Sequence, residues 1–131
     1  MSLVVLDTHA WLWWEAAPER LSAAAAAHIE RAERIAVCTV SCWELAMLEA
    51  RGRIALDRPV GRWLQLALAR DRVEPLELSA RAALEAALLP HETFPADPAD
   101  RFIYASTRLA GGRLVTRDER LRRCDPALTI W

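Results

Sequence analysis

The amino-acid sequence predicts a three-layer α/β/α fold around a mainly parallel sheet. Short apolar runs alternate with segments of helical period, and helix start and stop signals separate the two. Leu3-Val4-Val5-Leu6 is apolar at every position rather than at every second one, as in strands covered on both faces. From about Thr8 to Ala16 the chain reads as a helix. Pro18 breaks it, and Ser22 caps a second helix running through the alanines to Arg34. Ile35 to Val40 is a second short strand. Ser41-Cys42-Trp43-Glu44 matches a capping box, a serine followed three residues on by a glutamate, and opens a helix that Gly52 closes.

Between Pro59 and Arg70, Val60, Trp63, Leu64, Ala67 and Leu68 recur at helical spacing, and Val73 to Leu78 alternates like a strand. Ser79 caps a helix to about Leu89, and Pro90 to Asp97 has the composition of a loop. Pro98 suits the first position of a helix that Gly111-Gly112 ends after Ala110. Leu114-Val115 is another apolar strand, with Asp118 three residues beyond it, and Leu128 to Trp131 is the last.

A chain of 131 residues, 53% hydrophobic, suffices for one core, so residues 1–131 are expected to form a single domain. The first apolar run spans four residues before Asp7, too short for a secretion signal or a membrane span, and a cytoplasmic location is expected. Cys38, Cys42 and Cys124 lack CxxC spacing and read as small buried hydrophobes. The net charge of −1 excludes a protein that grips nucleic acid by unspecific charge alone, so any nucleic-acid contact must be local. All 17 basic residues are arginines, which removes every mechanism that needs a lysine. Trp11, Trp13 and Trp14 cannot all be buried by one core, so at least one indole is expected to face outward as a partner contact.

The chemistry lies in four acids. Asp7 and Asp118 follow strands, and Glu44 and Asp100 fall in the first turns of helices, so all four can point into the crevice beyond the carboxyl ends of the strands. Carboxylates gathered without a counter-ion raise one another's pKa values, and such a cluster is stable at neutral pH chiefly when it holds cations. Oxygen ligands without His or Cys select Mg2+ or Mn2+, ions that can drive phosphodiester hydrolysis. Each acid also has a purely structural reading. Glu44 completes a capping box, and Asp97, ahead of Pro98, is an N-cap that leaves Asp100 at the third helical position. Thr8 and Thr116 flank the acids as candidates to orient them, or simply as caps. Arg101, Arg117, Arg120, Arg122 and Arg123 stand near two of the acidic motifs as candidate phosphate ligands, or as a solvated helix face. His9 is given no role.

The motifs Leu6-Asp7-Thr8-His9-Ala10, Ser41-Cys42-Trp43-Glu44-Leu45, Asp97-Pro98-Ala99-Asp100-Arg101-Phe102-Ile103 and Val115-Thr116-Arg117-Asp118 resemble, in order and spacing, those of PIN-domain proteins, specifically the VapC-type toxins of bacterial toxin–antitoxin pairs. The resemblance implies that Asp7, Glu44, Asp100 and Asp118 bind Mg2+ or Mn2+ and cleave RNA, that the protein forms a homodimer, and that a small antitoxin lays a peptide over the site. The third motif is more often Asp-Pro-Phe-Asp, so Ala99 departs from it without touching either acid. Two other readings compete with this one. An α/β phosphatase of the haloacid-dehalogenase type needs a second aspartate where His9 stands, and it shares with receiver domains a lysine that is absent. A PIN-like fold kept only as a binding module would suit the tryptophans.

Overall fold

The computed structural model describes residues 2–131. Five strands, β1 (Leu3–Leu6), β2 (Arg34–Cys38), β3 (Val73–Leu76), β4 (Arg113–Val115) and β5 (Thr129–Ile130), form one sheet in the order β3-β2-β1-β4-β5. Every neighbouring pair is parallel. Seven α-helices cover it: α1 (Thr8–Ala16), α2 (Ala23–Arg31), α3 (Thr39–Ala50), α4 (Val60–Leu68), α5 (Ala80–Leu88), α6 (Pro98–Ala110) and α7 (Glu119–Cys124).

Successive residues of a strand point to opposite faces, and both faces are apolar. Val4, Leu6, Ile35, Val37 and Val115 pack on one side with Trp11, Ile29, Leu45 and Trp63. Leu3, Val5, Ala36, Cys38 and Leu114 pack on the other with Ile103, Tyr104 and Leu121. The unbroken apolar runs thus become the middle of a three-layer sandwich. β3 is an edge strand, which is why it tolerates Pro75, a residue with no amide to donate. Gly111 ends α6 in the left-handed region at φ +73, and a side chain at Gly112 would meet the Leu3 carbonyl at 3.1 Å. No helix is long and apolar enough to cross a membrane among the described residues.

Several expectations are corrected. The second helix ends at Arg31 rather than Arg34, because Arg34 opens β2 opposite Leu3 and pairs with Glu74. The second strand stops at Cys38, and α3 begins at Thr39 instead of at the predicted capping box. Ser41 is therefore inside the helix and fully buried, its hydroxyl 3.0 Å from that of Thr8, so a tertiary contact displaces the local cap. Helix α7 was not predicted; its arginine-rich stretch buries only Leu121 and carries no apolar period. Cys38 is buried and Cys42 half-buried, but Cys124 is exposed, its thiol donating to the Thr93 carbonyl. The tryptophan run is covered within the chain. Trp11 meets Trp63 edge-on at 5.2 Å between centroids, Trp13 meets Trp131 at 5.8 Å, and Arg70 lies 3.5 Å over Trp14. The exposed indole is Trp43, at 60%.

Candidate active site

From β1 the chain turns toward β2 and β3, whereas from β4 it turns toward β5, so the connections diverge between the adjacent strands β1 and β4. Ligand crevices of open α/β sheets form at such a switch point. Here it carries Asp7, one residue beyond β1, whose amide continues the ladder to the Val115 carbonyl at 3.1 Å. Asp118 stands just past β4. Both aspartates are N-caps. The Asp7 carboxylate accepts from the Ala10 amide at 2.8 Å, and Asp118 accepts from the amides of Arg120 and Leu121 at 2.8 and 3.0 Å. Asp97 caps α6 as predicted, accepting from Ala99 at 2.8 Å and Asp100 at 3.3 Å. Ala99 itself is buried.

Thr8 and Thr116 sit where they can orient these acids. The Thr8 hydroxyl donates to the Glu44 carboxylate, and the Thr116 hydroxyl accepts from the Asp118 amide at 3.1 Å while hydrogen-bonding the Asp7 carboxyl. Asp118 and Glu44 each commit one oxygen to these contacts, and no hydrogen bond occupies the other among the described residues. Asp7, Glu44, Asp100 and Asp118 line one cavity of about 700 Å3, together with Asp97 and Thr8.

The electrostatics of the cavity are those of a cluster short of positive charge. Burial, then repulsion from Asp97, Asp7, Asp118 and Glu44, pushes the Asp100 carboxyl up to about 7. Burial also raises Asp7, with Glu44 adding to the shift and Thr116, the Ala10 amide and His9 opposing it. Among the described residues no three acidic, imidazole or thiol side chains already form a cage for a metal ion. The donor set fits Mg2+ or Mn2+ even so. Mg2+ keeps several of its waters and needs only one or two direct carboxylates, and oxygen is its preferred ligand atom.

The arginines divide sharply. Arg117 and Arg122 line the acidic cavity. Arg101, a candidate for RNA phosphates, is buried and donates to the carbonyls of Ala86, Leu89 and Pro95 at 3.0, 2.6 and 3.1 Å, so it holds the loop before α6 and faces no ligand. Arg120 and Arg123 line a different cleft, beside Pro90 and Tyr104. Sequence reasoning missed Trp13 and Trp131 on the cavity wall, and it gave His9, which also lines it, no role. Trp131 follows β5 directly, as Asp7 follows β1. That position past a strand's carboxyl end was the signal available for it.

Residues 4–125 match the PIN domain family. The chain belongs to that family. This PIN domain is 46% identical to Ribonuclease VapC22 of Mycobacterium tuberculosis (strain ATCC 25618 / H37Rv), an alignment covering 100% of each chain. The fold is shared with the complex VapBC2 of Rickettsia felis bound to a promoter DNA fragment, at a TM-score of 0.68 and 16% identity over 97% of this chain and 96% of that one. VapBC-1 of nontypeable Haemophilus influenzae is similar to the same degree, with a TM-score of 0.68 and 15% identity over 97% and 96%. FitAcB of Neisseria gonorrhoeae gives 0.57 and 16% over 96% and 95%.

Proposed function

We propose that this PIN domain is a Mg2+- or Mn2+-dependent ribonuclease and the toxin of a toxin–antitoxin pair. The observation that carries the reading is the convergence of Asp7, Glu44, Asp100 and Asp118 on one cavity at the switch point, with Asp100 pushed up by burial and then by the other acids. A bound divalent ion supplies charge to offset that repulsion, to polarise a phosphodiester and to lower the pKa of the attacking water. The chain's own residues prepare for this. Helix capping fixes Asp7 and Asp118, Thr8 fixes Glu44, and Thr116 ties Asp7 to the Asp118 backbone, so the carboxylates need little reorganisation to receive a cation. Arg117 and Arg122 line the same cavity and are placed to hold RNA phosphates.

The name of the 46% identical relative supports ribonuclease activity, and the structural neighbours, being toxin–antitoxin complexes, support an antitoxin as partner. An inhibitory antitoxin would place an arginine or lysine among the acids and compete with the metal for them. A homodimer is supported by Leu84 and Leu88, exposed by 60% and 73% and four residues apart on α5.

Purified protein is expected to cut RNA in Mn2+ or Mg2+ and to stop in EDTA. Asp7→Asn should lose at least about 100-fold in cleavage rate while its circular dichroism stays that of wild type, the size of loss typical when a group stabilising the transition state is removed. Full activity in a folded Asp7→Asn protein would refute the site, and RNA left intact by wild type in either metal would reduce the fold to a binding module.

A further inference from the structure

Besides the acids, the cavity is lined by three rings, His9, Trp13 and Trp131, by Arg117 and Arg122, and by Glu119. Trp13 lies 5.8 Å from both His9 and Trp131 by centroids, tilted by 52° and 57°. The Arg117 guanidinium is 5.9 Å from the Trp13 ring. Trp13 is itself only 8% exposed, held under Arg20 at 4.8 Å, so the open ring surface belongs to His9, which is exposed, and to the half-buried Trp131. Trp131 packs against the core while it lines the cavity, anchored by β5, whose Ile130 pairs with Val115. Neither Arg117 nor Arg122 belongs to an ion pair among the described residues.

We propose that this part of the cavity is a nucleobase subsite, in which Trp131 stacks one base of a single-stranded nucleotide, His9 lines the space beside it, and Arg117 and Arg122 hold its phosphate. The assignment deepens the nuclease reading and rests on it. Four carboxylates repel a polyanion, and the net charge of −1 gives no long-range attraction, so affinity has to come from contacts that do not depend on overall charge. Stacking on an aromatic face supplies about ten-fold or more in affinity per base and accepts any base. The faces of paired bases are covered, which selects an unpaired nucleotide. The cavity, at about 700 Å3, is in the size range of sites that enclose a small ligand, about 300–1,000 Å3.

The test uses 15N-labelled full-length protein in Mg2+, followed through its indole N–H signals, with that of Trp131 identified by its loss in Trp131→Phe. Adenosine 5′-monophosphate is expected to move the Trp131 signal and to bind about ten-fold more tightly than ribose 5-phosphate, which keeps the phosphate and lacks the base. Arg117→Ala should weaken both ligands to a similar degree. Equal binding of the two ligands, binding of neither, or a Trp131 signal that does not move would overturn the subsite, and because the comparison is made on wild type it does not depend on a tryptophan variant folding. RNA cleavage is measured on the same preparation. Cleavage without nucleotide binding at Trp131 would sink the subsite and leave the nuclease reading standing, whereas nucleotide binding without cleavage would uphold the subsite and sink the nuclease.

Discussion

Asp100 and Arg101 are neighbours on α6, both largely withdrawn from water, and they solve the burial of charge in opposite ways. Arg101 is 7% exposed and hands its protons to the carbonyls of Ala86, Leu89 and Pro95, with the Phe94 ring 5.6 Å from its guanidinium. Asp100 lines the cavity, accepts no hydrogen bond among the described residues, and has its pKa raised by burial first and then by four other acids. Buried charge is expensive unless it is paired or hydrogen-bonded. Where the chain satisfies it internally, as at Arg101, the residue is part of the scaffold. Where it is left unbalanced, as at Asp100, the fold is holding a place for something outside the chain.

Removing Arg101 should therefore produce the larger loss of stability. Arg101→Met leaves three carbonyls without their donor and should cost at least about 3 kcal/mol, given roughly 1.5–3 kcal/mol for each hydrogen bond to a charged group. A fall in Tm of roughly 10 °C that added Mg2+ does not restore is the expected result of thermal unfolding. An unchanged Tm would mean that Arg101 is not the strut its contacts describe.

Asp100 should behave in the reverse sense. Its carboxyl titrates near 3.8 in the unfolded chain and near 7 in the metal-free fold. Below about 3.8 both states hold the proton and the group contributes nothing. Between these values the folded state keeps a proton that the unfolded state has lost, so unfolding becomes easier as pH rises, and above 7 the whole penalty is present. In EDTA, Tm should fall between pH 5 and pH 8 more steeply for wild type than for Asp100→Asn, and the variant should be the more stable of the two at pH 8. Equal pH slopes would remove the repulsion from the account, and with it the contrast with Arg101.

Those two residues also mark how far the sequence could be read. The strands were legible because Leu3–Leu6 and Leu114–Val115 are unbroken apolar runs, and α6 because Asp97-Pro98 and Gly111-Gly112 are local signals at its two ends. The grouping of Asp7, Asp100 and Asp118 on one cavity followed from their positions relative to strand ends and helix starts, which chain order encodes, whereas Glu44 reaches it from the second turn of α3 and not from the expected first turn. What failed depended on contacts between segments distant in sequence. Ser41 meets Thr8 across 33 residues, and that contact replaced the capping box the four-residue pattern suggested. Arg101 was grouped with exposed arginines because its partners lie 6, 12 and 15 residues away, although α6 is buried on most of its circumference, a hint its apolar residues already carried. Trp13 and Trp131 meet only because β5 adds to the sheet beside β4.

The smallest expected effect is the sharpest test of the contrast, because it compares two carboxylates three residues apart in one motif. Asp97 spends one oxygen on the amides of Ala99 and Asp100, whereas the Asp100 carboxylate holds nothing within the protein. Asp97→Ala should cost about 1 kcal/mol of stability through the lost cap, with cleavage of RNA by the folded protein reduced only a few-fold. Asp97 also stands second among the causes that raise Asp100, so its removal relieves repulsion in the cavity and offsets part of that loss in metal-free buffer. The offset should shrink when Mg2+ is present, since a bound cation already neutralises the field that Asp97 adds to. Asp100→Ala should show the opposite profile, with cleavage nearly abolished and stability unchanged or higher. Thermal melts with and without Mg2+, set beside initial cleavage rates for both variants, read the two profiles directly. If Asp97→Ala lost more activity than Asp100→Ala at equal foldedness, ligand and cap would have been exchanged, and the division between satisfied and unsatisfied charge on α6 would not track function.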